Sequence, residues 1–492
     1  MMKGIFRTFA VTVLLCCIGL GSAVLFAGCA GSSGSAYGAR VENSISYYYT
    51  AEDTSTRFIC NDNLLESKLG GEADAFLTCD GTVGIARVGT GLYRIDKDDL
   101  VMVYPAGVDR ALLSLDSKKI VFTTATEVHI YDSEADELID VKPEGVTSVL
   151  SIVLSPDGRS VGYSVRSSDG NIYAYVYENG ESRKLSNNAY IIGVADNAAW
   201  WYYLTPEADL YYANASKEKL IGSQTSNMVD FNRDLSEVLF DMNGVTYFSK
   251  QGKSAKRLAA GTSLFTTAGA CSSSQGGSDC TARVRDCGTL LNCVYYNYLA
   301  VSGDEGSRAT YNLWFVNASC KAKELAKGAY QFSIEKDGGH MTCLVDDGLY
   351  RMNIDDPGTA KLICSNVYSY IATEDAGRIY CVGYDRKLYI ISKLGKPEAV
   401  LDDAVYCVLT DEGKCLCIAD YDVTGKLYIV DGENPPKGAA NNVYIVETKP
   451  GLCCYYSAPY KNESGNDVYD LYTSKDGSAF ELCLKGVKLY NN

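Results

Sequence analysis

One phrase returns ten times along this chain, and it restricts the fold more than any other feature of the sequence. The phrase is an apolar stretch, a tight turn centred on Asp with Gly or Ser, and a second apolar stretch. Its clearest copy reads Val153-Leu154-Ser155-Pro156-Asp157-Gly158-Arg159-Ser160-Val161. Others centre on Asp80, Asp116, Asp196, Asp234, Asp337, Asp375 and Asp411, with a weaker copy at Asp286 and a tenth, without Asp, at Lys449-Pro450-Gly451. Successive turns lie 36, 41, 39, 38, 52, 51, 38, 36 and 38 residues apart. A fixed period of about 20–50 residues marks a fold assembled from like units, none of which buries its apolar face alone.

A second phrase follows each turn: Leu92-Tyr93, Ile130-Tyr131, Tyr175-Val176-Tyr177, Leu210-Tyr211, Thr246-Tyr247-Phe248, Leu313-Trp314-Phe315, Leu349-Tyr350, Leu388-Tyr389, Leu427-Tyr428 and Leu471-Tyr472. A polar turn and a fourth apolar stretch come next, as in Arg183-Lys184-Leu185. Each unit therefore offers four short strands joined by turn chemistry. No window sustains a 3.6 period with helix caps. In Ile379-Tyr380-Cys381-Val382 and Cys415-Leu416-Cys417-Ile418-Ala419 both alternating sets are apolar. Such strands are covered on both faces. Four-stranded sheets, repeated and buried on both sides by their neighbours, are the blades of a β-propeller.

Leu154-Ser155-Pro156-Asp157-Gly158-Arg159, continued through Ile172-Tyr173 and Arg183-Lys184-Leu185, resembles the repeat of TolB-like, WD-type propellers. The resemblance implies an all-β propeller of about ten four-stranded blades over residues 44–492. In that family the Asp-Gly turn shapes the blade and takes no part in catalysis, so no active-site residues are carried across. Ten units exceed the usual four to eight blades. The expectation is one large ring, or two smaller rings split near an insertion at 259–310, where the two long intervals fall.

The first residues read as an address. Lys3 and Arg7 precede an apolar run from Phe9 to Ala27, the layout of an export signal. The run ends Leu25-Phe26-Ala27-Gly28-Cys29, which resembles the lipobox of bacterial lipoproteins. The resemblance implies a signal over residues 1–28 and lipidation of Cys29, although Phe26 stands where Leu is usual. Two readings stand beside it: an uncut anchor helix, and release by the ordinary peptidase. All three place the rest of the chain outside the cytoplasm, at the cell membrane if it stays anchored. The Gly/Ser-rich stretch over 29–43 is then a flexible tether. Losing residues 1–28 removes two positive charges and turns a net charge of −16 into −18. Such a body lacks the basic footprint of a nucleic-acid binder and is repelled by anionic lipid, so it meets the membrane through its anchor alone.

Sixteen cysteines remain beyond Cys29. Cys271, Cys280, Cys287 and Cys293 fall in a Gly/Ser-rich stretch and are candidates for one or two bridges. Cys343, Cys381 and Cys417 recur at one place in successive units and read as small buried apolar residues. The same packing role is read for the vicinal pair Cys453-Cys454.

Candidate chemistry is sparse. The adjacent acids Asp98-Asp99, Asp346-Asp347, Asp355-Asp356 and Asp402-Asp403 point to opposite faces on a strand or to water in a turn. Glycoside hydrolysis needs two carboxyls facing each other across about 5–10 Å. There is no GxSxG, and the two histidines, His129 and His340, fall in different units. No metal and no cofactor is expected. The aromatic run Trp200-Trp201-Tyr202-Tyr203 is the sequence's candidate ligand-binding patch, since exposed aromatics stack on sugars or anchor partners. The expected function is non-catalytic binding of a protein, peptide or glycan by a lipid-anchored extracytoplasmic propeller. The alternatives are a carboxylate-dependent glycosidase or lyase at the cell surface, and a structural partner in an envelope assembly.

Overall fold

The computed structural model describes residues 45–489, apart from 51–54, 61–62, 71–72, 79–82, 97–98, 142–143, 259–264, 268–288, 303–307, 450–451 and the single residues 115, 233, 336, 374 and 433. Among the described residues there is no α-helix, only strands and two 3-10 turns, Asp196–Ala198 and Pro357–Thr359. Six sheets are separate four-stranded antiparallel sheets. In the clearest, Val146–Leu154, Val161–Ser167, Ile172–Glu178 and Glu181–Asn187 follow one another in sequence and in space. Two larger sheets contain strands that serve two units. The first part of Ala322–Ile334 pairs with Arg308–Val316 and its end pairs with His340–Val345. Lys437–Lys449 divides in the same way between Gly425–Val430 and Leu452–Ser457. Divided there, the chain from residue 73 onward makes ten units, over 73–104, 110–141, 146–187, 190–222, 225–257, 265–329, 329–364, 367–401, 404–443 and 443–488. The architecture is all-β and propeller-like, as the repeat implies.

The Asp turn joins the first and second strands of a unit. In unit 3, Ser155 Oγ donates to Asp157 Oδ1 at 2.7 Å, and Asp157 accepts the Arg159 N–H while Ser155 Oγ accepts that of Ser160. Ser114 with Asp116, and Thr373 with Asp375, repeat the arrangement. A short polar side chain two residues before the Asp thus closes the turn from inside.

The Leu-Tyr phrase is where the third and fourth strands slip register. Leu92 faces Tyr104 but Tyr93 faces Met102, leaving Val103 as an extra residue. The same bulge lies at Ala174/Tyr175, Leu210/Tyr211, Leu313/Trp314, Leu349/Tyr350, Leu388/Tyr389, Leu427/Tyr428 and Leu471/Tyr472. A bulge adds local twist and re-aims side chains. Here the extra residue is apolar in each case, as with Ile221 and Leu325.

Successive units stack face to face, because every neighbouring pair shares an apolar cluster. Val121, Val128 and Ile130 of unit 2 pack with Ile152, Val161 and Tyr163 of unit 3. Ala174 and Val176 pack with Val194 and Trp201, and Tyr202 and Tyr212 pack with Phe231 and Phe240. The series runs from the first pair of units to the last. Each such Val, Leu, Ile or Phe contributes about 1.5–3 kcal/mol on burial, which is why both faces of these strands are apolar.

The first and last described strands meet. Ile45–Thr50 pairs antiparallel with Glu481–Lys488 through Tyr49↔Lys488 and Thr50↔Val487. Asn63–Gly70, two strands further on, runs close to Val83–Val88 and Asp99–Tyr104 of unit 1. The strands Ile45–Thr50 and Glu481–Lys488 are therefore in contact, and the strands between residues 45 and 70 lie between the outer edges of the first and last units.

Candidate functional site

Three of the four residues of the predicted aromatic patch lie inside the stack and the fourth at its margin. Trp201, Tyr202 and Tyr203 form the second strand of unit 4 and are 0–4% exposed. Trp201 packs towards unit 3 and Tyr202 towards unit 5, because neighbouring strand residues face opposite ways. Tyr203 stacks on Tyr211 across the sheet at 5.1 Å. Trp200, half-buried, donates its indole N–H to Leu235 O at 2.9 Å. Trp201, Tyr202 and Tyr203 offer no exposed ring for a ligand to stack on.

The recurrent cysteines sit opposite the recurrent tyrosines. Cys343 faces Tyr350, Cys381 faces Tyr389 and Cys417 faces Tyr428, and all three cysteines are wholly buried. In units 3, 5 and 10 the same place holds Tyr163, Phe240 and Tyr455, each stacked on its Tyr partner. The room left by Cys343 and Cys381 is taken by Tyr370, which is buried and donates its hydroxyl to Thr342 O at 2.8 Å. Burial pushes the Cys343 thiol up to about 12. These thiols are packing groups and not nucleophiles. Cys453 and Cys454 are buried as well.

Both histidines are engaged. His129 is buried, stacks on Phe122 at 4.8 Å and lies 2.8 Å from Asp140 through Nδ1. His340 Nδ1 lies 2.7 Å from Asp337 Oδ2, and Glu335 stands close enough to complete a three-ligand cluster. Both Glu335 oxygens, however, accept the Arg351 guanidinium, at 2.6 and 2.7 Å. A cation there would displace or oppose that fixed positive charge, so the arrangement does not fit a metal. Asp346-Asp347 and Asp355-Asp356 are exposed, and Asp402 and Asp403 pair with Lys387 and Arg386. Asp98 lies outside the described residues.

A cleft of about 530 Å³ lies between units 9 and 10, lined by Lys414, Asp431, Asn434, Pro435, Lys437 and Asp476. Its charges are mixed. Lys414 is raised by its 2.5 Å contact with Glu412, and Asp476 is lowered by the Ser478 hydroxyl and N–H. Asn434 donates twice to Asp431. These polar groups can hold a ligand; none is a base set against a nucleophile.

The 259–310 segment supplies the first two strands of unit 6, Phe265–Thr267 and Cys293–Ser302. Cys293 is buried there, while Cys271, Cys280 and Cys287 lie outside the described residues. So do the signal over 1–28, Cys29 and the tether over 29–43. Among the described residues no helix is long and apolar enough to cross a membrane.

No family model matches the chain, and no curated protein matches it. Solved structures similar to it include a eukaryotic initiation factor, at 13% identity and a TM-score of 0.41, over 91% of this chain and 98% of that one. A second is the extracellular domain of a one-component system from B. thetaiotaomicron, at 9% identity and a TM-score of 0.30, over 92% and 78%. A third is the tricorn protease, at 11% identity and a TM-score of 0.30, over 89% and 52%.

Proposed function

We propose that this protein is a lipid-anchored, extracytoplasmic β-propeller of the TolB-like, WD-type repeat class, acting as a non-catalytic binding module for a protein, peptide or glycan. The observation that carries the reading is the engagement of its reactive groups. Among the described residues, nine cysteines are buried, both histidines are held by carboxylates, and Asp346-Asp347 and Asp355-Asp356 face water. What remains for function is a rigid stack of about ten units, one large ring in this reading, that presents turns and loops. The strands between residues 45 and 70, lying between the outer edges of the first and last units, support a single ring over two. The run Leu25-Phe26-Ala27-Gly28-Cys29 supports lipidation, and the tether holds an acidic body off an anionic surface.

Two experiments test the reading. Metabolic fatty-acid labelling should mark the wild-type chain and not Cys29→Ala; an unlabelled wild type removes the anchor. Incubating the purified chain with oligosaccharide and peptide panels should give capture without turnover; cleavage of any member would replace the binding role with a carboxylate-dependent enzyme.

A further inference from the structure

Among the described residues, most exposed large apolar side chains have a structural explanation. Met102, Leu138, Leu220, Leu362 and Leu482 all lie on the outermost strand of their units, each directly across from a recurrent tyrosine: Tyr93, Tyr131, Tyr211, Tyr350 and Tyr472. They shield that ring at the sheet edge. Three others do not follow the rule. Tyr384 is 53% exposed, Val423 63% and Tyr460 39%. They occupy the equivalent connection, between the second and third strands, of three successive units, 8, 9 and 10, with Tyr460 on the short strand Tyr460–Lys461.

These turns form one continuous surface. The Tyr384 N–H donates to Asn366 O in the link before unit 8, and Arg386 O accepts the N–H of Ala404 at the start of unit 9. A small cavity of about 100 Å³ opens between Tyr368, Tyr384 and Val405. The Asp420 N–H then donates to Asp403 O. Tyr421 interacts with Tyr444 and Tyr469 of unit 10, which lie 5.1 Å apart. Tyr460 donates its hydroxyl to Asp470 at 2.8 Å.

The charges of this surface are one-sided. Segments 383–387, 402–403, 420–426 and 458–467 carry seven acids and four bases. Every base is already matched: Arg386 with Asp403 at 3.3 Å, Lys387 with Asp402 at 3.5 Å, Lys426 with Asp420 at 3.0 Å and Lys461 with Asp467 at 2.9 Å. Asp385, Asp422 and Glu463 have no ion-pair partner among these bases and are exposed, although Asp385 accepts the Tyr389 hydroxyl at 2.7 Å. Exposed Tyr rings beside carboxylates that lack a cationic partner favour a ligand that is both cationic and apolar, since Lys and Arg pair with the acids and also stack over the rings.

We propose that the turn surface of units 8–10, centred on Tyr384, Val423 and Tyr460, docks an extended peptide segment in which Lys or Arg alternates with apolar residues. This rests on the binding-module reading and names its partner class. The surface is distinct from the cleft at Asp431 and Asp476, which lies at the other ends of the strands of units 9 and 10.

The test uses the full chain in detergent and a fluorescent peptide of six Arg-Leu repeats, followed by polarisation, with a Glu-Leu peptide and chitohexaose as comparisons. The Arg-Leu peptide should bind, and binding should weaken as salt rises. The Tyr384→Ser/Tyr460→Ser and Asp422→Lys/Glu463→Lys variants should each bind about tenfold more weakly or worse, as expected for aromatic anchors and complementary charge. Asp355→Asn/Asp356→Asn, an exposed acidic pair on unit 7, should stay within about twofold, because charge alone at a distant site is screened. Equal loss in all three variants means non-specific attraction and overturns the proposal. Binding of chitohexaose instead, or of the peptide without response to the turn variants, also overturns it while leaving the binding-module reading intact. Cleavage of the peptide or sugar ends that reading itself.

Discussion

The backbone N–H of Asp157 donates to the carboxylate of Asp196 at 2.9 Å, fastening the recurrent turn of unit 3 to the corresponding turn of unit 4. The two acids titrate in opposite directions. Burial acts to raise Asp157, but the Ser155 hydroxyl and the Arg159 N–H outweigh it and hold it low. Burial raises Asp196, and the charges of Asp157 and Asp234 add to that against the lowering by the Asp157 N–H. Asp196 therefore serves as an acceptor, and its negative charge works against the fold. Asp196→Ala should cost about 1 kcal/mol, the worth of one hydrogen bond. Asp196→Asn keeps an acceptor and sheds the repulsion, so its urea midpoint should equal or exceed wild type at pH 7. An Asn variant as unstable as the Ala variant would refute the acceptor role.

Acid should loosen the turns before it reaches the cores. Asp375 is held below its ordinary value of 3.8 by the Gly377 N–H and the Thr373 hydroxyl. Burial opposes the same lowering at Asp337 and Asp234, where His340 and Ser236 prevail. A carboxylate whose folded pKa is depressed stabilises fully above the unfolded value and loses that contribution as pH falls through the folded one. Urea midpoints should thus hold from pH 7 to about 5 and fall below about 4. Asp196 runs the other way: its folded pKa is raised, so protonation favours the fold. The gain from Asp196→Asn should be larger at pH 7 than at pH 3, and equal gains at both values would contradict the assignment.

What was legible in the sequence was what the chain settles locally. Ser155, Asp157 and Gly158 make their turn from their own side chains and dihedrals, so the repeat, its four strands and the two-sided burial could be read directly. The Leu-Tyr phrase was visible too, but its meaning was not: the slip between Tyr350 and Leu362 depends on the partner strand. Trp200 and Trp201 read as a patch because rarity resembles function. Only the neighbouring units, with Leu235 on one side and Ala174 on the other, show that both are filled against. The surface at Tyr384, Val423 and Tyr460 was missed for the opposite reason. Its residues are ordinary, and they come together only when three units stack. The equal spacing of the turns that follow Cys381, Cys417 and Cys454 was the available signal.

The cysteine positions give a third prediction. Cys343, Cys381 and Cys417 stand where Tyr163 and Phe240 stand in other units, and the space is filled by neighbours such as Tyr370. Burial raises Cys343, and at Cys381 the neighbouring Cys364 raises the thiol together with burial. Iodoacetamide at pH 8 should leave all three unmodified in the native protein and label all three in urea, read by peptide mass spectrometry. Cys381→Phe should cost about 1–3 kcal/mol through overpacking against Tyr370, whereas Tyr163→Cys should cost about 3–5 kcal/mol through the cavity it leaves. A neutral Cys381→Phe would mean the site is roomier than its neighbours imply.

The close stacking of units gives the last prediction. A Cβ on Gly193, in the first strand of unit 4, would fall 2.6 Å from Leu235 Cδ2 of unit 5, with Phe231 next at 3.4 Å. Leu235 is 7% exposed and packed among Tyr202, Phe231 and Phe240, so its methyl cannot swing clear without disturbing that cluster. Gly193→Ala should therefore destabilise by about 1–3 kcal/mol, the usual cost of forcing one extra carbon into a filled core. Leu235→Ala alone should cost about 2–5 kcal/mol. Because the added methyl occupies part of the space that Leu235 vacates, the double variant should be no less stable than Leu235→Ala, and the two changes should couple favourably. Simple additivity of the two losses in urea unfolding would show that units 4 and 5 are not in register at this contact, and with it that the stack is spaced differently from the one described.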